Sequence, residues 1–428
     1  MRQTSRTVAL EAIRRVLDED AYSTIVVPAA LRRSRLDGRD RAYATDLAFG
    51  TIRHLRSIDW ALDRVATRPV SRMSPGARNV LRLGGYQVLF TDTPQHAAVG
   101  ETVGLARDRE RGFVNAVLRK LASAPTPWPE GADASDIAVR TGLTPWTIEE
   151  LGRLLPADEV EPAARAFATQ APLSLRTNTD MVSVEGFTDA LKEAGRDPQP
   201  SLIDASCVLV DGGDPSSFPG FSDGWFAIQD QASAYVVKAL DPQPGDRVLD
   251  ACAAPGGKTI YAAQLVGDDG LVVGADIHPG RVPLIRKAAT RLGARALVMA
   301  QDAEHPALKG SFDRIMIDAP CSGLGSARRR PELLWRNRKD ELSKLARTQV
   351  AITAALTDLL KPGGRLVYSV CTFPRAETDA AADAIIRHRA DLEPVEIAGP
   401  DGRTARVRLW PHRHGSDGMF VAAFTRKA

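Results

Sequence analysis

Two of the four cysteines in this 428-residue chain sit where a nucleophile could act. Cys321 lies in Asp318-Ala319-Pro320-Cys321-Ser322-Gly323 and Cys371 in Tyr368-Ser369-Val370-Cys371-Thr372-Phe373, each just beyond a strand-like run. Strand ends border a common crevice in an open α/β sheet, so both thiols are expected to converge there. A lone cysteine is usually a small buried apolar residue, and Cys207 and Cys252 are read that way. A thiolate in such a crevice can add to carbon 6 of a cytosine ring and make carbon 5 an enamine carbon that takes a methyl. Loss of the carbon 5 proton and departure of the thiolate complete a covalent route that divides one hard step into easier ones. The cysteines form no C-x-x-C pair, so neither a zinc site nor a disulfide framework is expected, and no metal.

The segment Asp250-Ala251-Cys252-Ala253-Ala254-Pro255-Gly256-Gly257-Lys258-Thr259 follows a strand-like run and opens a helical one, the position of a cofactor loop. Gly257-Lys258-Thr259 imitates the end of a phosphate loop, but the first glycine of that motif would fall at Cys252, and the match fails. The dinucleotide pattern G-x-G-x-x-G is absent too. Asp276 closes the next strand, where a carboxylate can accept ribose hydroxyls, and Asp302 follows the third, in reach of an adenine amino group. Taken singly, either aspartate is about as often a helix cap. Their recurrence at successive strand ends suits S-adenosylmethionine, a cationic nucleoside, and repels a triphosphate.

These loops need a parallel sheet to hold them. After Pro244-Gly245, strand-like runs Arg247–Asp250, Leu271–Asp276, Ala296–Met299, Arg314–Asp318 and Arg365–Val370 alternate with helical stretches near 257–266, 279–292 and 340–360. Residues 418–424 read as a last, antiparallel strand. The front, residues 1–123, has helical apolar spacing throughout and predicts an all-α bundle. The three prolines in 124–131 cannot continue a helix, so 124–139 is expected as a linker. Residues 140–240 predict a small mixed α+β domain and 241–428 the catalytic domain, in keeping with about 100–200 residues per domain.

Residues 1–123 carry 21 Lys+Arg against 13 Asp+Glu, a balance of +8, which leaves −5 for the rest of a chain whose total is +3. A basic front fits a polyanionic partner, although a solvated helical surface accounts for it equally well. With 44% hydrophobic and 25% charged residues and no apolar run of about 20 residues, a membrane protein is not expected. The first residues lack a signal peptide's apolar core, so a cytoplasmic location is expected, with the cysteines as thiols.

Asp250–Thr259, Asp318–Gly323 and Tyr368–Phe373 together resemble the signature motifs of RNA 5-methylcytosine methyltransferases. The whole order is similar to the bacterial ribosomal RNA small subunit methyltransferase B (Sun/Fmu) family, whose front domain is NusB-like, and Arg111–Arg119 fits that domain. Leu175-Arg176-Thr177-Asn178, Gln229-Asp230-Gln231-Ala232-Ser233 and His414-Gly415-Ser416-Asp417-Gly418 fit as well, so the resemblance spans nearly the full chain. It implies a Rossmann-like methyltransferase fold preceded by a small α+β domain and an all-α NusB-like bundle. The implied reaction is methyl transfer from S-adenosylmethionine to carbon 5 of a cytosine in 16S ribosomal RNA, by a monomer. Cys371 is then the nucleophile, Cys321 assists product release and Asp318 recognises the base. Cys252, Ala253, Ala254, Pro255, Gly256, Gly257, Lys258, Asp276, Asp302 and Asp318 bind or border the cofactor. The family commonly has threonine where Val370 stands, a side chain expected on the opposite face of the strand from Cys371.

A flipped base has to reach the crevice. Arg328, Arg329, Arg330, Trp335 and Arg336 offer charge and an aromatic face for RNA, with a solvated charge run as the bland alternative. Arg176 is a further candidate, explained nearly as well by an interdomain ion pair. Three rivals stay open: a transfer or messenger RNA cytosine methyltransferase, an RNA-binding factor with a silent methyltransferase fold, and a nucleotide hydrolase.

Overall fold

Apolar residues at helical spacing, started by short polar caps, make the front of the chain helical. Thr4 caps α1 (Ser5–Asp18) by accepting from the Thr7 amide, and Ser74 caps α5 (Pro75–Phe90), whose proline fills the first turn. Between and after them run α2 (Ser23–Arg33), α3 (Gly38–Arg53), α4 (Leu55–Val65), α6 (Gln95–Val103) and α7 (Asp108–Ser123). Their inward faces share one core that includes Ile13, Leu47, Ile58, Leu81 and Leu118. The computed structural model describes residues 3–123, 126–336 and 339–428, which form two units.

The helical unit reaches beyond the bundle expected from sequence. Helices α8 (Ala134–Thr141), α9 (Pro145–Gly152) and α10 (Ala157–Phe167) belong to it, so the expected boundary at residue 140 falls inside a helix. The cause is packing. Ser57 Oγ in α4 donates to the Val139 carbonyl at 2.6 Å, and Trp128, in the expected linker, stacks on Trp60 at 5.5 Å. Ala124 and Pro125 of that linker lie outside the described residues. Residues 327–336 also belong to the helical unit.

Among the described residues, the second unit has two larger sheets and a two-stranded hairpin. Strands β1 (Leu173–Thr177), β2 (Gln199–Pro200), β3 (Cys207–Val210) and β4 (Phe226–Ile228) form an antiparallel sheet in the order β2-β3-β1-β4. Helix α11 (Val184–Glu193) covers it through Phe187 and Leu191. This is the small α+β domain, begun at Leu173 rather than at 140. Helix α12 (Gln231–Leu240), capped by Asp230, leads into the main sheet.

That sheet contains β5 (Arg247–Asp250), β6 (Leu271–Asp276), β7 (Leu297–Ala300), β8 (Phe312–Asp318), β9 (Leu360–Val370), β10 (Leu392–Pro394) and, beyond a hairpin of β11 (Ile397–Gly399) and β12 (Gly402–Thr404), β13 (Arg406–Leu409) and β14 (Met419–Arg426). Its order is β10-β14-β9-β8-β5-β6-β7, with β13 paired to β14. Strands β5 to β9 are parallel and β14 is antiparallel to β9, as expected. Helices α13 (Gly257–Val266), α14 (Val282–Leu292), α16 (Leu342–Thr357) and α17 (Asp379–His388) flank it, and α15 (Leu333–Arg336) lies in the helical unit. Alternation splits each strand between two cores: Leu366, Tyr368 and Val370 enter one, Val367 and Val421 the other. Winding reverses between β5 and β8, so the carboxyl ends of these two strands flank a switch point where ligands of open α/β sheets bind. This is a Rossmann-like methyltransferase fold. Among the described residues, no helix is long and apolar enough to cross a membrane.

Candidate active site

The loop after β5 turns at Gly256, where φ is +110° and a Cβ would come within 3.0 Å of the Ile285 backbone, so glycine is required twice over. Backbone bonds pin the loop to its neighbours: Ala251 N donates to the Met316 carbonyl at 3.0 Å and Ala253 N to the Ala275 carbonyl at 2.8 Å. Cys252 lies between them, and burial raises its thiol pKa, which suits a packing residue more than a nucleophile.

Carboxylates close the successive strands. Asp276 is buried at the end of β6 and accepts from the amides of Ala254 at 3.1 Å and His278 at 3.0 Å, with Arg281 at 3.3 Å. Asp250, at the end of β5, accepts from Thr259 Oγ1 at 2.7 Å through one oxygen, while its buried Oδ1 has no hydrogen-bond partner. Burial pushes its pKa up to about 6 despite Thr259 and the nearby Lys258. Asp318, at the end of β8, takes the Lys258 ammonium at 2.6 Å and Ser369 Oγ at 3.1 Å. Burial alone would lower the pKa of Lys258, but Asp318, with Asp250 and Cys371, turns the net shift upward. Asp302 is different: it is exposed in the turn after β7, bonded to Glu304 N and to His305, and the Glu304 amide keeps its pKa below the usual range. The tight turn at Gly256 beside the carboxylates Asp276 and Asp318 fits a ligand that is cationic and carries hydroxyl donors.

The two sequence-predicted thiols meet. Cys321 Sγ and Cys371 Sγ lie 3.5 Å apart with no disulfide between them. Gly325 makes this approach possible. Its amide donates to the Cys371 carbonyl at 3.0 Å, its carbonyl accepts from Gly418 N at 2.9 Å, and a Cβ there would sit 1.9 Å from the Gly418 oxygen. The Cys321 pKa is raised well above that of an ordinary thiol, first by its hydrogen bond with Cys371 and then by burial. Cys321 therefore holds its proton more tightly than an ordinary thiol does. Val370 packs into the other core, away from Cys371.

Behind the thiols lies a polar cluster that the sequence reading missed. Glu377 is fully buried and accepts from Ser322 N at 2.9 Å, Ser322 Oγ at 2.5 Å and Gln349 Nε2 at 3.0 Å. Ser322 and Thr372, each the residue after a cysteine, share a 2.7 Å hydrogen bond. That common position was the available signal.

The basic residues expected to meet RNA have other surroundings. Arg176 is 1% exposed, donates to Gln229 at 2.8 Å and Gln264 at 2.7 Å, and stacks over Tyr261. Its neighbours are amides and a ring, in place of the carboxylate an ion pair would need. Arg336 donates to the backbone carbonyls of Val16, Asp20 and Ala21, and Trp335 Nε1 donates to the Ile52 carbonyl at 3.3 Å, all within the helical unit. Arg328 is buried and Arg329 and Arg330 are half-buried, unlike a solvated run. Among the described residues, no cluster of three or more His, Cys, Asp or Glu could hold a metal.

Residues 237–425 match the family described as 16S rRNA methyltransferase RsmB/F, and residues 3–123 match the NusB family. The chain is 31% identical to the probable ribosomal RNA small subunit methyltransferase B of Bacillus subtilis (strain 168) over all of both sequences. It is also 31% identical to ribosomal RNA small subunit methyltransferase B of Escherichia coli O127:H6, over 99% of this chain and 98% of that one. The solved structure "Crystal Structure of PH0851" superposes with a TM-score of 0.82 over all of both chains at 24% identity, a likeness of fold. With its motifs, sheet order and full-length relatives in agreement, the chain belongs to the RsmB/F family of 16S rRNA methyltransferases and carries a NusB family domain at its front.

Proposed function

We propose that this enzyme transfers a methyl group from S-adenosylmethionine to carbon 5 of a cytosine in small-subunit ribosomal RNA, in the cytoplasm, through a covalent bond between Cys371 and the base. The observation that carries the reading is the 3.5 Å approach of Cys321 and Cys371 beside the Lys258–Asp318 pair. S-adenosylmethionine, held by the loop from Cys252 to Lys258 with Asp276, and with Asp302 and Asp318 at its border, supplies an electrophilic methyl. Cys371 acts as thiolate and forms the Sγ–C6 bond, and the electron pair of the C5=C6 bond becomes available at carbon 5. The thiol proton of Cys321 can be donated to the Cys371 sulfur, and the Lys258 ammonium, which feels the charge of Cys371, adds further stabilisation. Asp318 keeps lone pairs free for the amino edge of the base. After methyl transfer a base takes the carbon 5 proton, the C5–H electron pair restores the C5=C6 double bond, and the C6–Sγ pair leaves with Cys371 as thiolate, with Cys321 assisting release.

The two cysteines can be told apart. Cys371→Ala is expected to abolish methylation and leave no adduct. Cys321→Ala is expected to trap the enzyme on methylated RNA as a ribonuclease-sensitive band on a denaturing gel. The opposite pattern would reverse the assignment. Bisulfite sequencing of RNA from cells with and without the gene identifies the substrate, and a lost mark in transfer RNA instead of ribosomal RNA would overturn that part of the proposal.

A further inference from the structure

The two thiols approach closely although they stand on separate loops, and close approach of two sulfurs has to be enforced by something behind them. Glu377 occupies that position. One oxygen accepts from Ser322 N and Gln349 Nε2 and the other from Ser322 Oγ, so the residue next to Cys321 is held by backbone and side chain together. Ser322 Oγ is in turn bonded to Thr372 Oγ1, next to Cys371. The same glutamate is tied to β9, since Tyr368 Oη donates to the Glu377 carbonyl at 2.6 Å and to Gln349 Oε1 at 2.9 Å. Gln349 Nε2 also donates to the Pro320 carbonyl at 3.0 Å, directly before Cys321. Every bond in the cluster therefore ends on Glu377 or on a residue within three positions of a cysteine.

We propose that Glu377 is a positioning residue for the two-thiol site: through Ser322 and Thr372 it fixes the loops that carry Cys321 and Cys371, and as a buried carboxylate bonded by neutral donors it bears on the Cys321 thiol. The inference rests on the function proposed above. The charged and titratable groups around Cys321 are Cys371 and Tyr368 from β9, Asp318 from β8 with its partner Lys258 from α13, and Glu377 itself. After the Cys371 hydrogen bond and burial, Glu377 and Asp318 are the carboxylates that add to the hold on the Cys321 proton. Asp318 is neutralised by Lys258, whereas Glu377 is bonded by neutral donors. Burial raises the pKa of Glu377 against the bonds from Ser322 and Gln349, and its ionised form acts on the sulfur without a counter-ion.

Glu377→Gln separates charge from shape. The new amide can donate to Ser322 Oγ, which then donates to Thr372 Oγ1, while the remaining oxygen keeps Ser322 N and Gln349. The clamp survives and the charge is gone. In the full-length protein, iodoacetamide labelling of each cysteine, read by peptide mass spectrometry from about pH 6 to about pH 11, reports each thiol. The expected result is a Cys321 profile displaced to lower pH, with kcat for methyl transfer down about tenfold and KM for RNA little changed. An unmoved Cys321 profile overturns the charge role. Ser322→Ala tests the clamp separately, because it cuts both hydroxyl bonds and leaves the carboxylate in place. Diamide is expected to join Cys321 to Cys371 more slowly in this variant than in the wild type, and an equal rate overturns the clamp. Neither thiol measurement needs a turnover. Failure of the wild-type enzyme to methylate cytosine would thus remove the proposed function, while the labelling and diamide data still decide the role of Glu377.

Discussion

Asp250→Asn tests the electrostatics of the cofactor loop most directly. Asp250 is wholly buried at the end of β5, and burial lifts its pKa from 3.8 to about 6. A raised pKa in the fold means that this residue favours the native state fully below about pH 3.8, and that the contribution is lost as pH rises through about 6. At 1.36 kcal/mol per pH unit, the gap of about two units amounts to about 3 kcal/mol, an upper figure for one group. Asparagine is nearly isosteric and can still accept from Thr259 Oγ1 without bearing a charge. The stability of the variant relative to the wild type, in the absence of ligand, is expected to rise by about 3 kcal/mol between pH 3 and pH 7. Urea unfolding at a series of pH values, followed by hydrogen exchange in β5 and β8, measures this for the methyltransferase unit itself. A difference that stays flat across the range would refute the argument, because it would mean that the carboxylate is solvated or already neutralised in the fold. The same variant is expected to bind S-adenosylmethionine more weakly, since a site that destabilises its own apo form is commonly retained for its ligand.

Three further outcomes follow from the same contacts. Asp276→Ala is expected to weaken S-adenosylmethionine binding by about 1–3 kcal/mol in calorimetry, the scale of losing hydrogen bonds to a charged acceptor; an unchanged Kd would move the ribose contact elsewhere. Arg336→Ala removes donors to three backbone carbonyls and is expected to cost the helical unit about 1–3 kcal/mol in denaturation while leaving the salt dependence of RNA binding unchanged. A flatter salt dependence with unaltered stability would return this arginine to the RNA surface. Replacing the exposed Arg32, Arg33, Arg35 and Arg39 with glutamine is expected to reduce the slope of log affinity against log salt by up to about 3–4. An identical slope would show that the basic front serves another purpose.

The legible parts of this molecule were those written locally in the chain. A strand that ends in aspartate and runs into small residues announces its own loop, and Asp250, Asp276 and Asp318 all stand at strand ends as read. The cysteines were legible for the same reason. Glu377 was not, because its partners Gln349 and Ser322 lie 28 and 55 residues away and such pairings have no periodicity. Arg336, expected from sequence to face RNA, has its guanidinium taken up by backbone carbonyls of the front helices, a partnership that its neighbours in sequence do not signal. From sequence α9 and α10 fall in the expected mixed domain and most of α8 in the expected linker, because short helical patterns do not say which core they join. Trp128 on Trp60 and Ser57 on Val139 decide that through contacts more than 60 residues apart in sequence.

The helical unit is discontinuous in sequence, and this bears on how the protein is made. Glu332, fully buried, receives the amide and hydroxyl of Ser23 at 3.1 and 2.6 Å, and Trp335 closes over the apolar core of the front helices. Neither partner exists until synthesis has passed residue 336. At about 5–20 residues per second, the front helices wait on the order of ten seconds or more after residue 169 emerges before their last pieces arrive. During that interval the donors of Ser23 face water and the floor beneath Trp335 is uncovered. A nascent chain stalled before residue 327 is therefore expected to be cut by protease within α1 to α3, and one stalled well beyond residue 336 to resist.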